Sequence, residues 1–446
     1  MDNQVNYNLL KLHKLGLIKP LVRISRRARE GILKNVSYNI GLIPAELTYI
    51  DLITDSLMHF ILPENKFLNK ASIEASYLSL NDTFKRFFGY KHVLPIAQGR
   101  MSEALFSKLT VKNMMVIPSN ALFVTTRLHP ELNGATVLEI PVSEAYDFKN
   151  SFPFKGNIDT EKLQMAISEH GKSWMPFIYI ETCVNATGGH PVSMENIRKV
   201  SHIAKETQIP VFLDACRILE NAYLIKEREG GFRDKSIADI VREFCSYTDG
   251  CTMSATKDFF VEQGGFFATN NENLYLKAQD AIMAFGDGLS VRAKASLNEI
   301  IKQTFKNEKW IRERVGKVSY LWNKLRDYDL PVLSPCGGHA VFLDAKELYD
   351  FIPRQNYPEK AFLVELYLAT GIRAGENILS VYQKKEGQSI LRLAIPARTY
   401  SRANLDYIAK GIRDIWQRKD KIRGLNKVFQ PPSLTGEFFA RYELLN

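Results

Sequence analysis

The chain has 446 residues with 59 basic and 49 acidic side chains, a net charge of +10. That length suggests about two or three domains at roughly 150 residues each, and 45% apolar with 24% charged residues is a globular balance, which excludes disorder, collagen and coiled coil. No apolar run approaches the roughly 18 residues of a membrane span, and the five cysteines form no CxxC pair and the eight histidines no HExxH, so a disulfide framework or structural zinc site is not expected.

Residues 11–34 (KLHKLGLIKPLVRISRRAREGILK) read as a basic arm broken at Pro20, a solvated or subunit-docking segment rather than a nucleic-acid arm. The first thirty residues lack a compact apolar region followed by a small-residue cleavage site, so no secretory leader is expected. From about residue 87, short apolar runs alternate with amphipathic stretches. Met114–Ile117, Thr136–Ile140, Pro176–Glu181 and Pro210–Asp214 read as buried strands. Ser193 is placed to cap a helix whose apolar face carries Ile197, Val200, Ile203 and Ala204. Strand, helix and strand in succession predict an α/β fold, a mostly parallel sheet covered by helices. Ligands of such sheets sit at the carboxyl ends of the strands. Beyond about residue 311 the texture changes to a smaller α+β domain: a helix from Trp310 to Leu325, the run GGHAVFLD, a helix at 359–370 and a strand at Ser389–Ile395. The division expected is residues 1–56 (arm and part of the small domain), 57–310 (large domain) and 311–446 (small domain).

The strand ends carry the chemistry. One strand leads into TCVNATGG with Asn185; the next ends in Asp214, followed by Arg217; then CTMSATKDFFVEQGGFF places Ser254 three residues before Lys257. A carboxylate at a buried strand end is costly without a cation beside it, and a pyridinium nitrogen supplies one. Lys257 lies in an apolar, glycine-flanked stretch where a lowered pKa would make it a nucleophile toward an aldehyde. An acid for the ring nitrogen and a lysine for the aldehyde are what pyridoxal phosphate requires of a protein. Gln98-Gly99-Arg100 opens a helical stretch after HVLPIA, and backbone N–H groups with an arginine suit a phosphate; the Ser254 hydroxyl adds a donor. Taken singly, a strand-end Asp, an SxxK or a QGR is weak; their order and spacing together favour a pyridoxal-phosphate site.

At these residues the sequence resembles the β-eliminating lyases, the family of tryptophanase and tyrosine phenol-lyase. GGHPVSMENIRKV, FLDACRILENAYLIKEREGGF, DKSIADIVREFCSYTDGCTMSATKD and GGHAVFLDA are similar to that family's blocks, and the likeness runs from about residue 20 to the FFARY near the end. The resemblance implies a fold-type-I pyridoxal-phosphate enzyme acting on an amino acid and a homotetramer built from dimers, with a homodimer as the alternative; the odd cysteine count fits reduced thiols of the cytoplasm, and no motif beyond charge points to a nucleic-acid or membrane partner. It assigns Lys257 to the cofactor aldehyde and the Cα proton, Asp214 to the pyridine nitrogen, and Arg217 and Asn185 to the region of the ring O3′. Phe123 is similar to the aromatic stacked on the ring, while Gln98, Gly99, Arg100 and Ser254 match the phosphate cup. Arg392 in LRLAIP matches the arginine for the substrate carboxylate, assisted by Thr54 and Ser56 in DLITDS. Phe438 and Phe439 are candidates to touch the substrate side chain, or else core or lid aromatics; His339 and His129 read as structural.

The departures lie where the family expels its aromatic leaving group. Its general-acid tyrosine is replaced by Ala71, with Tyr77 as the alternative. Val124 stands for a threonine, Asn377 for the phenol-lyase arginine, Gly375 for a bulky neighbour, Thr256 for a lysine, and Glu262 for an asparagine that binds an activating potassium ion, so a potassium site stays open. The reading is a lyase that removes the Cα proton through Lys257 and eliminates a stabilised leaving group, C–S or similar. β-Replacement, aldolase or aminotransferase chemistry, an aromatic lyase with a substitute acid, and a degenerate binding protein are the alternatives. Part of the excess positive charge (Arg100, Arg217, Lys257, Arg392) is thereby expected to face a phosphate, a ring oxygen and a carboxylate.

Overall fold

A computed structural model describes residues 21–56, 78–259, 261, 263–286, 288–376, 390–397, 399–433 and 435–445. Ala71, Tyr77, Glu262, Asn377 and the start of the basic arm lie outside them. The chain forms two compact units, Ser56–Arg312 and Met1–Asp55 with Glu313–Asn446.

In the larger unit the apolar runs become seven strands: β1 His92–Ile96, β2 Val116–Ser119, β3 Thr136–Glu139, β4 Ile178–Glu181, β5 Val211–Asp214, β6 Gly250–Ser254 and β7 Gly265–Thr269. Their order is β1-β7-β6-β5-β4-β2-β3. Strands β2 to β6 pair in parallel, and β7 runs antiparallel to both β6 and β1. The expected mostly parallel α/β sheet is present; the reversed strand was not anticipated, because an antiparallel strand buried on both faces has the same apolar run. Parallel neighbours need a crossover, and the helix Met194–Thr207 supplies the one between β4 and β5. Ser193 caps it as expected, its hydroxyl accepting from the Asn196 N–H at 3.0 Å, and the chain leaves it at Gln208 in the left-handed region. On one face Phe106 packs against Phe177, Phe212 and Phe267, with ring centroids 4.5, 4.3 and 5.7 Å away. Each such buried ring contributes about 1.5–3 kcal/mol and fixes the helix Gly99–Thr110 on the sheet.

Parallel register brings the carboxyl ends level. Glu181 pairs with Asp214, and Asp214 with Thr252, across β4, β5 and β6. Three strands therefore deliver two acids and the Ser254–Lys257 turn to one edge.

The smaller unit holds a four-stranded sheet in the order Ile50–Leu52, Ile372–Glu376, Ile390–Ala394, Ala340–Asp344, and a two-stranded one of Leu425–Phe429 with Arg441–Leu444. The first pair is parallel and places Asp51 opposite Arg373. Two buried ion pairs follow. Arg373 Nε and Nη2 donate to the two oxygens of Asp51 at 3.0 and 2.6 Å, and Arg314 Nη2 donates to Asp55 at 2.7 Å. Among the described residues no helix is long and apolar enough to cross a membrane.

Breaking a buried pair strands a charge, at about 3–5 kcal/mol. Arg373→Ala is accordingly expected to lower unfolding stability by that amount in urea, and the Arg373→Met, Asp51→Leu double variant to recover most of it. A loss below about 1 kcal/mol in the single variant would show that this pair does not hold the sheet together.

Candidate active site

Asp214 ends β5, fully enclosed. Its Oδ1 accepts from the Cys216 N–H at 3.0 Å and its Oδ2 from the Thr126 hydroxyl at 3.0 Å. Glu181 ends β4 beside it. One Glu181 oxygen accepts from the Asn185 N–H at 3.0 Å and Nδ2 at 3.1 Å; the other accepts from the Phe123 N–H. These bonds place the TCVNATGG loop and the start of the helix Val124–Leu132 on the sheet edge. Phe123 is that helix's N-cap, and its ring lies 5.5 Å from Lys257 Nζ. Lys257 itself sits on a four-residue helical turn, Ala255–Asp258, directly after β6. Arg217, also buried, opens the helix Ile218–Arg228.

The cup at the end of β1 forms from chain proximity. Gln98 is the extended N-cap of Gly99–Thr110, and a Cβ on Gly99 would lie 2.4 Å from Ser254 Cβ and 2.6 Å from its Cα. Only glycine lets the helix start approach β6 so closely, leaving its first N–H groups, with Arg100 exposed beside them, for an anion. The Ser254 hydroxyl lies 3.0 Å from Thr256 Oγ1, which is 3.2 Å from Ser56 Oγ. Within the larger unit, then, Gln98, Gly99, Arg100, Phe123, Asn185, Asp214, Arg217, Ser254 and Lys257 frame one edge. Ser56 stands next to Thr256, toward the phosphate cup.

Three acids crowd this edge. Burial, then Asp214, push the Glu103 carboxyl up to about 8. Burial and Asp214 likewise push Glu181 up to about 7, against its Asn185 bonds and the pull of Arg217. Donor atoms of Glu103, Asp214 and Cys216 lie within 4.8 Å of one another. A site so rich in buried carboxyl oxygen calls for a cation. A protonated ring nitrogen meets that need, and the glycine cradle and the aromatic ring facing Lys257 suit the remainder of pyridoxal phosphate.

Sequence reasoning missed Glu103, Thr126, Glu181 and Asn120. Asn120 Oδ1 accepts from the Glu181 N–H at 3.0 Å and its Nδ2 donates to the Glu181 carbonyl at 2.9 Å, tying β2 to β4. The signals were present but faint: Glu181 ends a strand as Asp214 does, and Glu103 stands one helical turn beyond Gly99.

In the smaller unit Arg392, half-buried, lies on Ile390–Ala394 opposite Gly375, and its Nη2 donates to the Ile53 carbonyl at 2.7 Å, next to Thr54. Phe438 and Phe439 lie on the turn Gly436–Phe439, Phe439 55% exposed and so not a core residue. Asn39 Nδ2 holds this turn by donating to the carbonyls of Phe438 and Ala440 at 3.1 and 2.8 Å. His339 is buried, 5.9 Å from the Phe342 ring.

Comparison with known proteins places this geometry in context. The profile of the family described as β-eliminating lyase matches residues 72–411. A tyrosine phenol-lyase of Nostoc punctiforme is 38% identical over 451 residues, covering 97% of this chain and 96% of that one. A tyrosine phenol-lyase of Pasteurella multocida is 37% identical over 449 residues, with 97% and 98% covered. Among solved structures, an archaeal alanine:glyoxylate aminotransferase superposes with a TM-score of 0.62 at 15% identity, covering 90% of this chain and 97% of that one; this likeness is one of fold.

Two outcomes follow from the geometry. Gly99→Ala forces β6 and the helix start apart, an overpacking worth roughly 1–3 kcal/mol, so cofactor affinity is expected to fall about 5- to 100-fold in a spectrophotometric titration; unchanged affinity would remove Gly99 from the cup. Second, Glu103 and Glu181 bind protons more tightly folded than unfolded, where a glutamate titrates near ~4.3. The folded state thus holds more protons between that value and about 7–8, and stability falls as pH rises through this window. Thermal unfolding of the cofactor-free protein is expected to show that decline, and a rise would contradict it.

Proposed function

The chain belongs to the β-eliminating lyase family, and from that premise we propose that it eliminates from the β-carbon of an amino acid a group able to leave as a stabilised anion, a thiolate foremost, in place of phenol or indole. It is a pyridoxal-phosphate-dependent lyase of fold type I. When bound, pyridoxal phosphate withdraws electrons from Cα and so acidifies the Cα–H bond.

The residues divide the work. Asp214 would hold the proton on the ring nitrogen. Gly99, Arg100 and Ser254 would hold the phosphate, with Gln98 at their edge; Arg217 and Asn185 would orient the ring oxygen, and Phe123 would stack on the ring. Lys257 Nζ takes the Cα proton, the Cα–H electrons form the Cα–Cβ double bond, and the β-substituent departs with its bonding pair. Hydrolysis then gives pyruvate and ammonia. Arg392 would take the substrate carboxylate as a bidentate pair, assisted by Thr54, with Phe438 and Phe439 toward the substrate side chain; Ser56, expected to assist as well, stands by Thr256 toward the phosphate cup instead. A carboxylate bound in this way is retained, which disfavours decarboxylation.

The leaving group is decided by what stands where the family keeps its general acid. Ala71 has no proton to give, and Val124 has no hydroxyl. General acid catalysis is typically worth roughly 10²- to 10⁴-fold, and an aryl carbon needs all of it, whereas a thiolate departs unaided. The second reading, an aromatic lyase using a substitute acid such as Tyr77, is favoured by the full-length likeness to two tyrosine phenol-lyases. We take the protein to self-associate as a dimer or tetramer in the cytoplasm, in keeping with five free cysteines, four of them buried.

Pyruvate release separates the readings. S-alkylcysteines are expected to turn over at least about 10² times faster than tyrosine or tryptophan. Comparable rates on tyrosine would establish the second reading instead.

A further inference from the structure

The hydroxyl of Thr126 stands between two buried carboxyl groups. Its Oγ1 lies 3.0 Å from Glu103 Oε1 and 3.0 Å from Asp214 Oδ2. A threonine hydroxyl owns one hydrogen and donates to one acceptor at a time. Were both carboxyls ionised, one contact would set lone pair against lone pair in a site closed to water, which is unfavourable. One of the two must carry a proton.

Asp214 is the better anion, because the Cys216 N–H donates to its second oxygen at 3.0 Å. Glu103 has no equivalent: its Oε2 finds no hydrogen-bond partner among the described residues. The nearest base is His129 Nε2, 3.8 Å away, and burial and then Arg100 lower that imidazole's pKa, which keeps it neutral. We propose that Glu103 is held as a neutral carboxylic acid that donates to Thr126, so that Thr126 donates to Asp214 and fixes Asp214 as the single oriented anion facing the cofactor's ring nitrogen. The chain runs Glu103 O–H to Thr126 Oγ1, and Thr126 O–H to Asp214 Oδ2.

The two helices that open at the cup and at Phe123 bring these groups together, Glu103 one turn inside the first and Thr126 three residues beyond Phe123. The groups facing Glu103 are Asp214 and Cys216 after β5, Glu181 and Tyr179 on β4, Lys257 after β6 and His129 beside Thr126. Burial first, and then Asp214, raise the Glu103 pKa; Lys257 and the Thr126 bond oppose them without reversing the result. Glu103 is a positioning residue, acting on the cofactor through Thr126 and Asp214.

The inference rests on the reading of Asp214 as the partner of the ring nitrogen, and two spectroscopic readouts keep the two apart. Infrared difference spectra of the cofactor-loaded full chain near neutral pH, parent minus Glu103→Gln, are expected to show a protonated-carboxyl C=O band belonging to Glu103. Thr126→Val is expected to keep that band but shift it to higher frequency, since its acceptor is gone; this variant serves where Glu103→Gln folds poorly. With ring-¹⁵N-labelled pyridoxal phosphate, the nitrogen resonance is expected to be retained in Glu103→Gln, whose amide still donates to Thr126, and to move in Glu103→Leu and Thr126→Val. A parent-minus-Glu103→Gln spectrum without such a band overturns the neutral acid. A band that behaves as described, with a ring resonance indifferent to Asp214→Asn, upholds the neutral acid and overturns the role of Asp214.

Discussion

The burial of anionic groups at the carboxyl ends of β4 and β5 is the constraint around which the larger unit is arranged. Removing a carboxylate from water costs several kcal/mol even after relaxation, and each hydrogen bond to a charged group returns about 1.5–3 kcal/mol. Glu181 therefore collects three N–H donors, and the chain must bend to provide them: the Phe123 N–H comes from a helix start and both Asn185 donors from a tight turn. Asp214 collects the Cys216 N–H and the Thr126 hydroxyl. The loops that frame the cofactor edge are thus placed by the need to satisfy acids, and the aromatic ring and Lys257 are positioned as a consequence.

The same logic recurs in the smaller unit with opposite emphasis. Three of its arginines, two buried and one half-buried, meet one short segment of the chain. Two of them, Arg373 and Arg314, are matched by Asp51 and Asp55 from the segment DLITDS. Arg392 instead has one edge of its guanidinium oriented by the Ile53 carbonyl from that segment. A guanidinium held by a backbone carbonyl keeps its full charge, which is the state that a fork-shaped carboxylate site needs. Asp51 and Asp55 of DLITDS thus pair two of these arginines, and the Ile53 carbonyl between them orients the third. The Arg373–Asp51 and Arg314–Asp55 pairs are each neutral and so add nothing to the +10.

Local signals in the sequence carried much of this, and their limits are physical. The Ser193 cap, the apolar strands and the strand-end Asp214 depend on residues within a few positions of each other, so pattern and spacing expose them. The reversal of β7 does not, because strand direction is set by the connection and a buried run has no direction of its own. Glu103 and Thr126 sit on amphipathic helices of ordinary composition. Their significance arises only when two helices and a strand meet, and a pairing across 88 residues leaves no mark on either neighbourhood. Glu181 was legible as a strand end; its role as a clamp on Phe123 was not, since it acts through a backbone N–H that every residue but proline offers.

Gly375 is a strand glycine that its described surroundings do not demand. It pairs with Arg392 in the sheet and its backbone is not in the left-handed region, so nothing in the strand requires glycine. Among the described residues a Cβ there would meet only the Arg392 carbonyl oxygen, at 3.9 Å, which is ordinary contact. A larger side chain is sterically admissible, and an interior strand glycine is intrinsically unfavourable. Glycine at this position therefore costs stability without relieving any strain, whereas Gly99 and Gly265 are imposed by close backbone approach at the cofactor edge. The distinction separates two kinds of glycine in one chain: those that close backbone approach compels, and one for which no described neighbour requires glycine. The buried acids, Lys257 and the glycine cradle are bound into the packing of the larger unit, whereas at Gly375 no described neighbour compels glycine.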